Sequence, residues 1–510
     1  MKRFWLVLLS LGLIVAFSTS AMAVDVKFSG EYYAAGMYLD KTNVRSEGYW
    51  GSTVTNPTTR NLLPSPVTVP GYGTFTHVWA TAPVVTPTYV LSGNSTAFYF
   101  QRLRLNTQFI VSPGLTLTTR ADVMERAWGA PRSTPNAVQD SQSAGTTAEN
   151  ENIAFDLLYV TYVSPIGMFA AGYQIDGAWG TVFGNTSEMY GKVGYTFRQG
   201  PVTLGIQMGK NTNGELSSTA KRASNLTDND ISFYTAYGIY AWKSGQAGLL
   251  IKHIENRAGR QGSTWFPYVA ALGGLTREME TDNKTRVTIA IPYVKAQLGP
   301  VALQAEVYYA YGRIKFEDTV DPAVLGAYDG EDEVDIRNLT AWIDATADFG
   351  MFYAGGSLAY VSGDDWASGD KREGGTLTGG LDWNPCLLMF NSDVSYWAGT
   401  QGGYDATANG GPMTNAFFAQ IRGGVRPVDK LDIMMSFSWA KAERTPTKMW
   451  ESREYGYEID LTGTYKITNN LSYMLGAGYW FVGDYYQGTT DKNHDIEDNF
   501  LVLNKLTLTF

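Results

Sequence analysis

The chain has 510 residues, 44% of them hydrophobic, 14% aromatic and 17% charged, with 55 glycines and a mean hydropathy of −0.17. A net charge of −10 and an isoelectric point near 5.0 leave no basic footprint for nucleic acid. The single cysteine, Cys386, excludes a disulfide framework, a c-type haem attachment and a thiolate zinc centre.

A soluble protein of this length divides into domains with helices rich in Ala, Leu, Glu and Lys. Such segments are scarce, so one large β domain is predicted. His77, His253 and His494 lie too far apart for a metal-ligand spacing, and no metal or cofactor is expected.

At the N-terminus, Lys2 and Arg3 precede an apolar run from Phe4 to Phe17, then the small-residue step Ala21-Met22-Ala23. This pattern predicts a secretory signal peptide over 1–23 and a mature domain over 24–510. About 14 helical residues reach only about 21 Å, short of a roughly 30 Å hydrocarbon core. Beyond residue 23 no stretch of 18 apolar residues occurs, so any membrane crossing is by strands.

Period-two alternation runs through the mature chain. In the first segment Val26, Phe28, Tyr32, Ala34 and Tyr38 oppose Lys27, Ser29, Glu31 and Tyr33. Tight reversals fall at 112–114, 164–167, 199–201, 243–246, 299–300, 348–350, 426–429 and 468–470, each with Gly, Pro, Asn or Asp turn chemistry. Long polar segments separate these hairpins: 40–96, 128–152, 176–188, 212–229, 257–284, 317–336, 363–413, 444–452 and 485–496. Eight turns and nine loops predict eighteen strands, with both termini on the short-turn side. A hairpin within 374–397 would raise the number to twenty, and sixteen is the other alternative.

The predicted fold is therefore all-β: a transmembrane antiparallel up-and-down barrel, with short periplasmic turns and long extracellular loops. Eighteen strands give a backbone diameter of roughly 35 Å and an opening on the order of 15 Å, water-filled unless a loop enters.

Charge facing follows from alternation. In the second strand Leu103, Leu105, Thr107 and Phe109 suit lipid, leaving Arg102 and Arg104 inward; in the third, Arg120, Asp122 and Arg126 are expected inward. An arginine at the lipid midplane costs about 2–4 kcal/mol, which fixes this choice. Strands eleven and twelve place Glu306 and Asp344 inward, half a circumference away, so a basic wall and an acidic wall are expected to oppose each other. The arginines are either selective for solutes or structural charges satisfied by Asp122. Further inward candidates are Lys27, Glu31, Lys192, Arg422, Glu458, Asp460 and Lys505.

Two loops carry signals. Residues 317–336 hold eight acids, read as a solvated face or as a divalent-cation site without EF-hand spacing. Loop 40–96 is long enough for a lid or an inward constriction.

The last strand alternates Leu506, Leu508 and Phe510 against Lys505, Thr507 and Thr509. With the leader and the strand-and-turn cadence, it resembles Gram-negative outer-membrane porins. The resemblance implies a water-filled channel for small hydrophilic solutes and ions, and gives Phe510, Leu508 and Leu506 the role of a signal read by the barrel-assembly machinery. It also implies contact with outer-membrane lipids and lipopolysaccharide, and a monomer or homotrimer. Gly379-Gly380-Leu381-Asp382-Trp383-Asn384-Pro385 is similar to the Asn-Pro loop of alginate-export-type barrels, although Cys386 to Phe390 depart from it. A specialised exporter or uptake channel, for an acidic oligosaccharide for example, and a structural or adhesive barrel stay open beside the porin. No enzyme is expected: no Gly-x-Ser-x-Gly elbow occurs, and the nearest phosphate-loop pattern, Gly184 to Lys192, fails at Val193.

Overall fold

The computed structural model describes residues 24–55, 67–69, 73–75, 78–79, 84–90, 92–129, 153–186, 188–212, 230–259, 263–267, 276–280, 282–317, 331–375, 382–405, 407, 409, 411–450, 452–489 and 495–510. The predicted signal peptide, Gly379 to Leu381, His77, His494 and three of the eight acids, Asp318, Asp321 and Asp329, lie outside them.

Eighteen antiparallel strands close into a barrel: β1 (Asp25–Leu39), β2 (Thr96–Ser112), β3 (Leu115–Ala127), β4 (Ile153–Ser164), β5 (Gly167–Ile175), β6 (Met189–Gln199), β7 (Val202–Thr212), β8 (Ile231–Trp242), β9 (Gly245–Asn256), β10 (Asn283–Leu298), β11 (Val301–Phe316), β12 (Glu333–Asp348), β13 (Phe352–Val361), β14 (Ala416–Val428), β15 (Leu431–Ala442), β16 (Glu454–Lys466), β17 (Leu471–Val482) and β18 (Asn499–Thr509). Each pairs with its chain neighbours. Strand β1 pairs with both β2 and β18, so no sheet edge remains open. All eight predicted reversals join consecutive strands. The described part of 374–397 forms no hairpin; it carries one short helix, α1 (Ser392–Ala398), and the strand number stays at eighteen.

The alternation sorts side chains as period two requires. Phe28, Leu204, Ile206, Leu249, Ile421 and Leu461 are exposed on the outer face, while Tyr33, Thr235, Glu306, Gln420 and Glu458 are buried on the inner one. Stacked aromatics lie toward the strand ends, Tyr240 with Trp242 next to a tight turn and Tyr309 with Tyr311 toward the loops. Among the described residues no helix is long and apolar enough to cross a membrane.

The core sits inside the ring. Two loops enter it, 176–188 between β5 and β6 and 362–415 between β13 and β14, and they bury Phe183, Leu388, Met389, Val394 and Met413 against inner-face residues such as Trp342, Phe418 and Phe100. The lumen expected to stand about 15 Å open is thus narrowed by loop packing. In loop 40–96, Tyr49–Thr55 pairs with Val84–Val90, and Val78–Trp79 joins Thr276–Glu280 of loop 257–284. Its first residues touch the inward loop: the Val44 N–H donates to the Gly402 carbonyl at 3.1 Å.

Candidate functional site

Strands β2, β3 and β4 carry a ladder of arginines interleaved with carboxylates. Arg104 makes a two-pronged bond to Asp122, at 2.7 and 2.6 Å, as the guanidinium fork favours. Arg120 donates to Asp156 at 3.0 Å and approaches Met189 Sδ at 3.4 Å. Arg102 meets Glu125 at 3.3 Å and Glu31 at 3.8 Å, and its guanidinium lies 5.1 Å from the Tyr33 ring. The Lys505 ammonium sits over the same ring at 4.4 Å. A wall expected to be basic is therefore compensated residue by residue. Leaving such buried arginines or acids unpaired costs about 3–5 kcal/mol each, which explains the interleaving.

Two bulges moved residues away from simple alternation. Near Met124, whose φ is 54°, β3 holds an extra residue relative to β2, so Arg126 lies across from Gln101 and not beside Arg102. Gln101 belongs to the outer row, where it accepts from the exposed Trp128; Arg126 was expected inward and shares that row instead. The same bulge brings Glu125 to Arg102. A second irregularity, between Arg120 and Ala121, puts Asp156 and Leu157 both among the buried residues. Asp156 was missed in the sequence; its only signal is a lone acid between apolar neighbours.

The acidic wall is also rearranged. Glu306 is 1% exposed, and one of its carboxylate oxygens accepts from the Thr181 N–H at 2.7 Å and from the Thr181 hydroxyl. Asp344 is locked to Arg422 at 2.7 and 2.8 Å and accepts from Ser357. Both are buried on the inner face, and each is held by a local partner, Glu306 by Thr181 and Asp344 by Arg422.

The acids that do share the arginines' surroundings stand on loop 362–415. Its course is set by side chains that cap its backbone. Gln420 donates to the Pro385 carbonyl at 2.6 Å, and the Leu388 and Met389 N–H groups both donate to Glu458 at 2.6 Å. Asn391 caps α1 by accepting from Val394 at 2.9 Å while donating to the Cys386 carbonyl at 2.7 Å. Gly478 of β17 admits Leu387: a Cβ there would lie 3.0 Å from the Leu387 Cβ and 2.6 Å from Asp460. Ligand atoms of Cys386, Glu458 and Asp460 lie within 4.8 Å of one another, with both Glu458 oxygens taken by the loop backbone.

So held, the loop presents Asp382 and Asp393 toward β2 and β3. Burial and the Asp393 carboxylate push the Asp382 carboxyl up from its ordinary range, against the pull of Arg104, Arg120 and Arg102. The loop reaches β2 through Trp397, and it joins the other inward loop where the Asp382 N–H donates to the Asn185 carbonyl at 3.3 Å and Phe183 meets Trp383 at 5.0 Å. Arg102, Arg104, Arg120, Asp382 and Asp393 thus lie close together, with Tyr33 and Phe100 beside them and the two inward loops over them.

Among the described acids of 317–336, Glu333 and Asp335 lie in β12 and pair with Arg313 at 2.6 and 3.8 Å, and Asp335 also meets Arg337 at 3.0 Å. They form a partly exposed ion-pair ladder with Arg313 and Arg337. His253 shares a 2.9 Å hydrogen bond with Thr288.

No protein-family model matches the chain. No curated protein matches it either. Solved structures similar to it include the outer membrane channel DcaP of Acinetobacter baumannii, at 10% identity and TM-score 0.38 over 96% of this chain and 99% of that one. Pseudomonas aeruginosa OpdK with vanillate gives 12% and 0.44 over 95% and 99%. OmpT, an outer membrane protein of Vibrio cholerae, gives 8% and 0.36 over 96% and 99%.

Proposed function

We propose that the protein is an outer-membrane channel through which small hydrophilic solutes and ions diffuse, along a lumen narrowed between the arginine–carboxylate ladder and loop 362–415. The observation that carries this reading is the inverted distribution of polarity: apolar and aromatic side chains line the outside of a closed barrel, and charged pairs line the inside. Such an exterior is stable against hydrocarbon and unfavourable in water. The signal peptide expected over 1–23 from the sequence supports export to the outer membrane, where lipids and lipopolysaccharide would contact the outer face.

Refolded protein in planar bilayers tests the proposal. Stepwise ohmic conductance is expected. A barrel that inserts and keeps its heat-modifiable mobility on gels, yet passes no current, overturns it in favour of a structural or adhesive role.

A further inference from the structure

Loop 176–188 does more than narrow the lumen. Between it and the inner face of β6 to β10 lies a partly open cavity of about 320 Å³, at the lower end of the ~300–1,000 Å³ usual for small-molecule sites. Its walls include Trp179, Tyr237, Leu250 and Ile289. Trp179 is fixed there by donating to the Ile291 carbonyl at 3.0 Å and by edge contacts with Tyr237 and Tyr293, at 5.5 and 5.2 Å. A wall already ordered in this way takes up a flat or branched apolar body without further loss of side-chain freedom.

One end of the cavity is charged, with two lysines paired to a single carboxylate. Lys192 and Lys252 both donate to the same carboxylate, Asp176, at 3.1 Å for Lys192. Lys192 spends its other protons on the Ile175 carbonyl at 2.7 Å and Gln207 at 3.2 Å. Lys252 lies over the Phe233 ring at 4.5 Å, and its side chain is 19% exposed. Burial raises the Asp176 carboxyl, but the two ammoniums outweigh that and hold it below its ordinary range, so it stays ionised. Two other acids near this end accept from neutral donors and form no ion pair with either lysine, Glu188 from the Tyr190 hydroxyl at 2.6 Å and Glu306 from the Thr181 N–H at 2.7 Å. Two ammoniums thus share one paired carboxylate in a half-closed, largely apolar site, where an incompletely compensated charge is costly.

We infer that this cavity is a binding station for a small organic monoanion, its carboxylate meeting Lys252 and its apolar body lying against Trp179, Tyr237 and Leu250. The inference deepens the channel reading by naming a solute class, and rests on that reading for the route by which the solute arrives.

Calorimetric titration of the detergent-solubilised full-length protein at neutral pH tests it, with benzoate, benzyl alcohol and benzylammonium as probes. Benzoate is expected to bind saturably and at least tenfold tighter than the other two. Lys252→Met leaves Asp176 paired with Lys192, and should weaken benzoate about tenfold or more without changing benzyl alcohol; Lys252→Arg should restore most of the affinity. Equal affinity for benzoate and benzyl alcohol in the unaltered protein overturns the site without any variant. So does undiminished benzoate binding by a Lys252→Met barrel of native mobility. Bilayer recordings on the same preparations separate the two readings: conductance without benzoate affinity removes only the station, and benzoate affinity without conductance removes only the channel.

Discussion

Trp397 of α1 stacks on Phe100 of β2, ring centroids 4.5 Å apart and planes 28° from parallel. The loop that carries Trp397 leaves the wall at β13 and returns at β14, so this contact ties one side of the barrel to another across its interior. An aromatic pair of this kind contributes about 0.5–1.5 kcal/mol beyond its buried area. The other end of the loop is held independently by Glu458 and Gln420.

Trp397→Ala should therefore free the β2 end of the loop while the barrel stays closed. Single-channel conductance is expected to rise, with added open-state noise, while heat-modifiable mobility is unchanged. Identical conductance in the variant and the parent would show that the narrowest point lies elsewhere.

The charges around that contact predict how selectivity responds to substitution. Removing Arg102, Arg104 and Arg120 together leaves Asp122, Asp156 and Glu125 without their cations, so the reversal potential in a salt gradient should move toward cation selectivity. Asp382→Asn with Asp393→Asn should move it toward anions. Glu306→Gln and Asp344→Asn should do little, because Thr181 and Arg422 already neutralise or cap those groups. The Debye length is about 10 Å at 0.1 M salt, so the shifts should be largest below that concentration. A larger effect from Glu306 and Asp344 than from Asp382 and Asp393 would relocate the constriction to β11 and β12.

A pH dependence follows from Asp382. Its raised carboxyl loses its charge at a higher pH than an ordinary carboxylate as the solution is acidified. Acidification should thus shift the parent channel toward anions before most surface acids titrate. Asp382→Asn should flatten that part of the curve, measured as reversal potential against pH. A variant that titrates like the parent assigns the effect to another group.

The barrel was legible in the sequence because its two determinants are local. A tight turn needs Gly, Pro, Asn or Asp at fixed positions, and Ser112-Pro113-Gly114 or Gln199-Gly200-Pro201 shows this directly; a strand with unlike faces needs only period two. Bulges break that inference, because an extra residue such as the one near Met124 flips all that follows, and this misplaced Arg126 and hid Glu125. Nor did the inward course of 382–413 have a local signature. It depends on capping groups supplied from β14 and β16 and on a stacking partner in β2, each remote in sequence. Glu458 could be read as an inward acid, but not as the acceptor for two backbone N–H groups of that loop.

The last prediction concerns the seam between β1 and β18. Phe510 and Gly30 exchange backbone hydrogen bonds at 2.8 and 3.1 Å, and the Phe510 ring lies across Gly30, where a Cβ would come within 2.8 Å of the ring and 2.6 Å of the Arg104 carbonyl. The terminal aromatic thus covers the outer face at the point where the barrel closes. Leu508 and Leu506 continue its row, opposite Tyr32 and Ala34. Deleting Phe510 should lower the amount of folded, heat-modifiable barrel in outer-membrane fractions, and Gly30→Val should do so by preventing the ring from lying flat. The two causes can be separated in vitro. If Phe510 serves mainly as a signal to the assembly machinery, its deletion should reduce folding in cells but leave refolding into detergent nearly normal. Gly30→Val should slow both. Wild-type levels of folded barrel in cells after the deletion would exclude the signalling role.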